Sequence, residues 1–230
     1  MVVCCLLLLG CQTLEQGVGV LRSLDPGGAA LSTETVAAGL KQALVKAVER
    51  GTSQLGTEGG YTNSCCVRIE TPKSMESVAN TLRKLGLGSM VDTFEDRMNR
   101  GAELAAAQAA PVFLLAIERM SFADAMEILR GGDTAATDYF QNTIGEDLRK
   151  LYAPIIGSQL DSVGAVRAYN QIVDRIAGIP LVDAPVLDLE DYTAGKALDG
   201  LFSVMAEEEK RIRRDPAART TELLRRVFGS

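Results

Sequence analysis

From residue 32 onward the apolar positions recur every three or four residues, the period of an amphipathic helix. Val36, Leu40, Leu44 and Val48 share one face of a first helix that ends near Gly51. Residues 51–71 lack this period. There Gly56, Gly59 and Gly60 precede Cys65-Cys66-Val67-Arg68-Ile69, which reads as an extended segment or small strand halted by Pro72. Thr71 as N-cap, with Pro72 in the first turn, predicts a helix carrying Met75, Val78, Ala79, Leu82 and Leu85 and stopping at Gly86. Ser89 and Asp92 open the next, whose face is Val91, Phe94, Met98, Ala102 and Ala105. Pro111 starts or kinks its continuation to Ile117. Ser121 and Asp124 resemble a cap before Ala125, Met126 and Leu129, with a close at Gly131-Gly132. Thr143 and Glu146 form a capping-box pattern for a helix over 144–160. Further helices are predicted over 165–177 and 189–214, separated by a loop marked by Gly178, Pro180 and Pro185. Gly195 and Gly200 weaken the second by about 1 kcal/mol each relative to Ala. Asp215-Pro216 ends it and begins a terminal helix through Val227. No fixed-period repeat is present, so the pattern predicts one all-α domain over 32–230, of about eight or nine helices with a short extended segment near 65–69.

The N-terminus is different in kind. Residues 2–9 are uncharged and mostly apolar, and Leu8-Leu9-Gly10-Cys11 resembles a bacterial lipobox, in which the cysteine is lipidated. The run is shorter than the roughly 20 residues of a spanning helix but suits a secretory signal, although no Lys or Arg precedes it. The expectation is a signal peptide over 1–10, lipidation at Cys11, and a flexible tether over 11–31 containing Gly17, Gly19, Pro26, Gly27 and Gly28. Acyl chains contributing about 0.8 kcal/mol per buried methylene would make the membrane a stable partner. The same resemblance to bacterial lipoproteins, in which Asp after the cysteine commonly marks inner-membrane retention, implies for Gln12 the outer membrane, facing the periplasm.

Composition narrows the chemistry. The 230-residue chain has a formal charge of −6 and no long basic stripe, which argues against nucleic acid as a partner. It has no Trp, so its core rests on Leu, Ala, Val, Ile and Met. It has no His, which excludes Ser-His-Asp and Cys-His catalysis and removes the commonest transition-metal ligand. Once Cys4 and Cys5 are cleaved and Cys11 is acylated, only the adjacent Cys65 and Cys66 remain as thiols. Two cysteines make no zinc site alone, and their disulfide would close a strained ring. No metal and no cofactor is expected.

The candidate polar site gathers residues from three places. Asn99, Arg100 and Glu103 lie within one helical turn and either line a cleft or form an internal salt-bridge network. Gly131-Gly132-Asp133-Thr134 joins two helices. Free amides at the second could hold an anion, though Asp133 fills that place, and Thr137, Asp138 and Tyr139 follow one turn on. Glu207, Glu209, Arg211 and Arg213 offer i,i+4 pairs on a solvated surface, each contributing about 0.3–0.5 kcal/mol. Glu208 faces another side, and Glu103 with Glu208 would bind a cation or run acid-base chemistry only if the fold joined them.

Several stretches follow one known pattern: Gly39-Leu40-Lys41-Gln42-Ala43-Leu44, Met98-Asn99-Arg100-Gly101-Ala102-Glu103, the run from Ile128 to Phe140, Lys196-Ala197-Leu198-Asp199-Gly200-Leu201-Phe202, Ala206-Glu207-Glu208-Glu209 and Val227-Phe228-Gly229. Together these resemble the DUF4197 family of proteobacterial exported proteins, across nearly all of 32–229. The chain departs from that pattern at Cys65-Cys66 and Thr71-Pro72, where an apolar, Pro-containing segment belongs. The resemblance implies export but no activity, substrate or catalytic residue. The leading expectation is a lipid-anchored periplasmic binding or structural module, with an envelope protein as a partner. A carrier of lipid or another apolar ligand would need an apolar cavity of roughly 300 Å³ or more. An enzyme, the less favoured alternative, would use carboxylates with Tyr139 or Lys196 in a pocket joining Asp133, Asp138, Glu103 or Glu208.

Overall fold

The computed structural model describes residues 31–121, 123, 125–177, 179 and 186–229. The lipobox, Cys11, all of the tether but its last residue, Asp124 of the expected cap, and the loop residues Gly178, Pro180 and Pro185 lie outside them. The described residues form eight α-helices and no strand: α1 Thr33–Leu55, α2 Glu76–Lys84, α3 Gly88–Arg119, α4 Ala125–Arg130, α5 Ala135–Val163, α6 Ala165–Ile176, α7 Leu189–Arg214 and α8 Glu222–Phe228.

The four long helices pack in a ring, α1 on α3, α3 on α5, α5 on α7 and α7 on α1, so the core is a four-helix arrangement with weaker diagonals. Its centre holds one ring from each of three helices. Phe113 of α3, Phe140 of α5 and Phe202 of α7 have centroids 5.8–6.2 Å apart, in tilted and edge-on geometry. Two of the long helices, α1 and α3, contribute the faces their sequence period predicts. Val36, Leu40, Leu44 and Val48 of α1 and Val91, Phe94, Met98, Ala102 and Ala105 of α3 are all buried, each larger side chain contributing about 1.5–3 kcal/mol relative to exposure. The short helices cover the ring: α2 and α6 lie on α3, α4 on α1 and α5, and α8 on α1.

Three local expectations are corrected. The Thr143–Glu146 box starts nothing, because α5 runs unbroken from Ala135 to Val163. Pro111 and Pro154 sit inside α3 and α5 without ending them. Both prolines, and the residues four positions before them, Ala107 and Lys150, are exposed, so each orphaned carbonyl lies on the wet side of its helix. Thr71 caps no helix. A 3-10 turn over Lys73–Met75 precedes α2, and the Thr71 hydroxyl donates to Glu95 at 2.5 Å instead.

Residues 65–67 form a turn rather than a strand, and 68–72 are irregular. Side chains of α3 take the role a neighbouring strand would play. Asn99, fully buried, accepts from the Ile69 amide at 2.8 Å and donates to the Ile69 carbonyl at 2.7 Å. The loop is held on its other side by α7, where Tyr61 Oη donates to the Ala197 carbonyl at 2.7 Å. Gly200 makes this approach feasible, since a Cβ there would stand 2.8 Å from the Tyr61 ring.

Candidate functional site

The polar residues expected to share a site fall into two buried staples and a surface pair. In the first staple, Glu103 accepts from the amides of Tyr61 and Thr62 at 3.3 and 3.2 Å, from the Thr62 hydroxyl at 3.0 Å, and from Arg100 at 3.1 Å. With Asn99 on Ile69 and Glu95 on Thr71, this face of α3 fastens the loop over 61–71. Asn99, Arg100 and Glu103 form an internal network rather than lining a cleft.

In the second, Glu209 of α7 reaches the first turn of α5. Its two oxygens accept from the Ala136 amide at 2.9 Å, the Thr137 amide at 2.7 Å and the Thr137 hydroxyl at 2.8 Å. Arg213 pairs with the same carboxylate at 2.8 Å and donates to the carbonyls of Ile128 and Leu129 at the end of α4. One buried ion pair thus closes the C-terminus of α4 with a cation and the N-terminus of α5 with an anion, the signs that the two helix dipoles favour. This corrects the expectation of a solvated surface, since Glu209 is 1 % exposed and Arg213 10 %. Arg213 also lies over the Phe228 ring, 5.4 Å from its centroid. Glu208 is nearly buried too and is held by Arg211 at 2.7 and 3.0 Å, leaving Glu207 to Lys210 rather than to Arg211.

Asp133 pairs with Arg214 on the surface, and that guanidinium holds the Asp133 carboxyl below its ordinary value of 3.8. Thr134 donates to Asp138 at 2.8 Å. The first turn of α5 therefore has its amides filled by protein carboxylate and presents no open anion site. Glu103 and Glu208 serve different partners, and Lys196, paired with Asp199 at 3.5 Å, does not share Tyr139's surroundings. Among the described residues no group of three or more Cys, Asp or Glu is placed to hold a metal ion. Sequence reasoning missed Tyr61, Glu95 and Glu209 as the residues that fix the loop and the α5 start. No local signal pointed to Glu209, because Asp133 or Thr134 reads as the cap of this helix, and only the structure shows that Thr134 makes no cap bond and that Glu209 takes its place.

Of these candidates only Tyr139 lies at an apolar concavity. Between the last turns of α3 and the N-terminal half of α5 lies a groove of about 550 Å³, floored by Val112, Ala116, Met120, Ile144 and Leu148 and flanked by Leu115 and Leu151. Leu115 is 44 % and Leu151 56 % exposed, so two large side chains stand in water beside the groove. Tyr139 closes one end and donates to the Ser121 carbonyl at 3.5 Å, while Arg119, Asp147 and Lys150 put charge on the rim. The same stretch explains why α3 is long and apolar enough, by composition, to cross a membrane. Its most apolar window has a mean hydropathy of 1.3, but 44 % of that window is buried in the bundle and some of the rest forms the groove wall. A second cleft, of about 470 Å³, lies between α1 and α7 and is lined by both signs of charge, including Arg50, Glu207, Lys210 and Asp215.

An all-α domain built around four long helices, with polar staples inside and an apolar groove outside, is the class of protein the fold defines. The chain matches DUF4197, described as a protein of unknown function, over residues 30–229, and it belongs to that family. No curated protein and no solved structure matches it.

Proposed function

We propose that this protein is a lipid-anchored binding module of the cell envelope that holds an apolar ligand in the groove between α3 and α5. The observation that carries the reading is the groove itself: about 550 Å³, apolar on its floor and ringed by charge, with Leu115 and Leu151 left in water. This exceeds the roughly 300 Å³ that a small apolar ligand requires. The carboxylates that an enzyme would bring together are instead engaged in separate staples and pairs, so binding is favoured over catalysis. The lipobox at Leu8 to Cys11 supports placing the module at the outer membrane, facing the periplasm.

Native mass spectrometry of protein purified gently from its own envelope tests the groove. A bound lipid or other apolar molecule is expected, and it should be lost in Leu115→Glu and Leu151→Glu, whose side chains are already solvent-exposed. A bare polypeptide mass, or a ligand retained in both variants, overturns the carrier reading and turns attention to crosslinking for an envelope protein partner. Cys11→Ser tests the anchor separately, and a variant that still partitions with membranes like the parent overturns it.

A further inference from the structure

Cys65 and Cys66 stand apart from the groove, in the loop that the first staple fastens. Cys65 and Cys66 are exposed at the outer side of the turn over 65–67, and their sulfurs lie 3.1 Å apart. That is about 1 Å beyond a disulfide bond. The turn is pre-shaped, because Ser64 Oγ accepts from the amides of both Cys66 and Val67 at 3.3 Å. On either side the chain is fixed: Tyr61 is buried and tied to Ala197, and Ile69 is buried and tied to Asn99. The residues between those anchors are the ones placed to adjust when the sulfurs approach.

We propose that Cys65 and Cys66 form a reversible vicinal disulfide, making this loop a thiol–disulfide switch that reshapes the neighbouring cleft. The reaction is exchange with a disulfide oxidant, whether a small molecule or a protein. The thiolate of one cysteine attacks a sulfur of the oxidant and expels one of its thiols. The other cysteine, deprotonated, then attacks the mixed disulfide, forming the Sγ–Sγ bond and releasing the second thiol. Two electrons and two protons pass from the pair to the oxidant. The 3.1 Å spacing places the second sulfur within reach of one already bound to the oxidant.

Reversibility follows from geometry. Adjacent Cα atoms are about 3.8 Å apart, shorter than the roughly 4.4–6.8 Å that disulfides usually span, so the ring is strained. Strained, exposed disulfides are the readily reduced ones. The change is felt at α7. Val67 packs so close to Gly200 that a Cβ on the glycine would lie 3.2 Å away from it, and Cys66 and Arg68 share a cleft of about 170 Å³ with Lys196, Asp199 and Ser203.

The test uses the full chain, because Arg50 and Arg68 bracket a tryptic peptide, 51–68, in which Cys65 and Cys66 are the sole cysteines. The folded protein is equilibrated in glutathione buffers from fully reduced to fully oxidised, quenched by alkylation and digested. The expected result is that peptide 51–68 passes from two alkyl groups to none in a single step, with the loss of two hydrogens, and regains both on return to reduced buffer. Cys66→Ser should instead collect a glutathione adduct on Cys65. A wild-type peptide that keeps both alkyl groups in the oxidised buffer, carries only glutathione adducts, or is joined to another chain overturns the proposal. These outcomes are independent of whether the groove holds a ligand.

Discussion

The Glu209 carboxylate and the Thr137 backbone amide are 72 positions apart and lie on different helices, and the 2.7 Å bond between them closes the start of α5 from α7. Removing that carboxylate leaves two buried amides without an acceptor and Arg213 without its anion. Glu209→Ala is therefore expected to cost about 3–5 kcal/mol, the range for breaking a buried pair. Glu207→Ala, two residues away on the exposed side, should stay within about 0.5 kcal/mol. Urea unfolding of the two variants measures both, and equal costs would refute the staple.

Two buried tyrosines differ in one bond. Tyr61 Oη donates to Ala197, whereas Tyr152 Oη has no partner among the described residues. Tyr61→Phe should lose about 1 kcal/mol, and Tyr152→Phe should be neutral or slightly stabilising. Burial raises the hydroxyl pKa of both above the ordinary 10. The folded state thus binds these protons more tightly, so their contribution is fully present below about 10 and is lost as pH rises beyond it. The tyrosinate absorbance of Tyr61 and Tyr152, read as the part lost in the two Phe variants, should appear late and together with alkaline unfolding, and its appearance in the still-folded protein near the ordinary value would contradict this.

Gly195 and Gly200 carry the same helix penalty but opposite constraints. A Cβ at Gly195 would meet the Arg149 guanidinium at 3.4 Å, an ordinary contact, whereas at Gly200 it would stand 2.8 Å from Tyr61. Gly195→Ala is expected to be neutral or to gain up to about 1 kcal/mol. Gly200→Ala should lose about 1–3 kcal/mol by forcing the loop outward. Thermal unfolding distinguishes them by the sign of the shift.

Arg214 lowers the Asp133 pKa below 3.8, so the pair adds stability above that value and loses it as acid carries the pH down through the lowered pKa. Because both groups are solvent-exposed, the effect on folding is small and the titration itself is the readout. In Arg214→Ala the Asp133 carboxyl should titrate near its ordinary value, as followed by carboxyl-carbon NMR. An unchanged midpoint would show that the pair does not form in solution.

The bounds of α7, expected over 189–214 and observed there, and the buried faces of α1 and α3 were legible because helical period, caps and glycine stops are properties of neighbouring residues. The all-α class and family membership were legible for the same reason, being carried by short local runs. The burial of Glu209, the loop held by Asn99 and Glu103, and the passage of α5 through Thr143 were not. Each depends on a partner many residues away. At Thr143 a local cap lost to a tertiary one, because Glu209 had already satisfied the amides of a helix beginning at Ala135. Likewise the groove depends on how the last turns of α3 and the N-terminal half of α5 pack, and not only on the leucines that line it. The sequence by itself determined which residues form helices and which faces must leave water. The tertiary structure decided which carboxylates are buried and where apolar surface stays open, because those depend on distances between elements that no local period encodes.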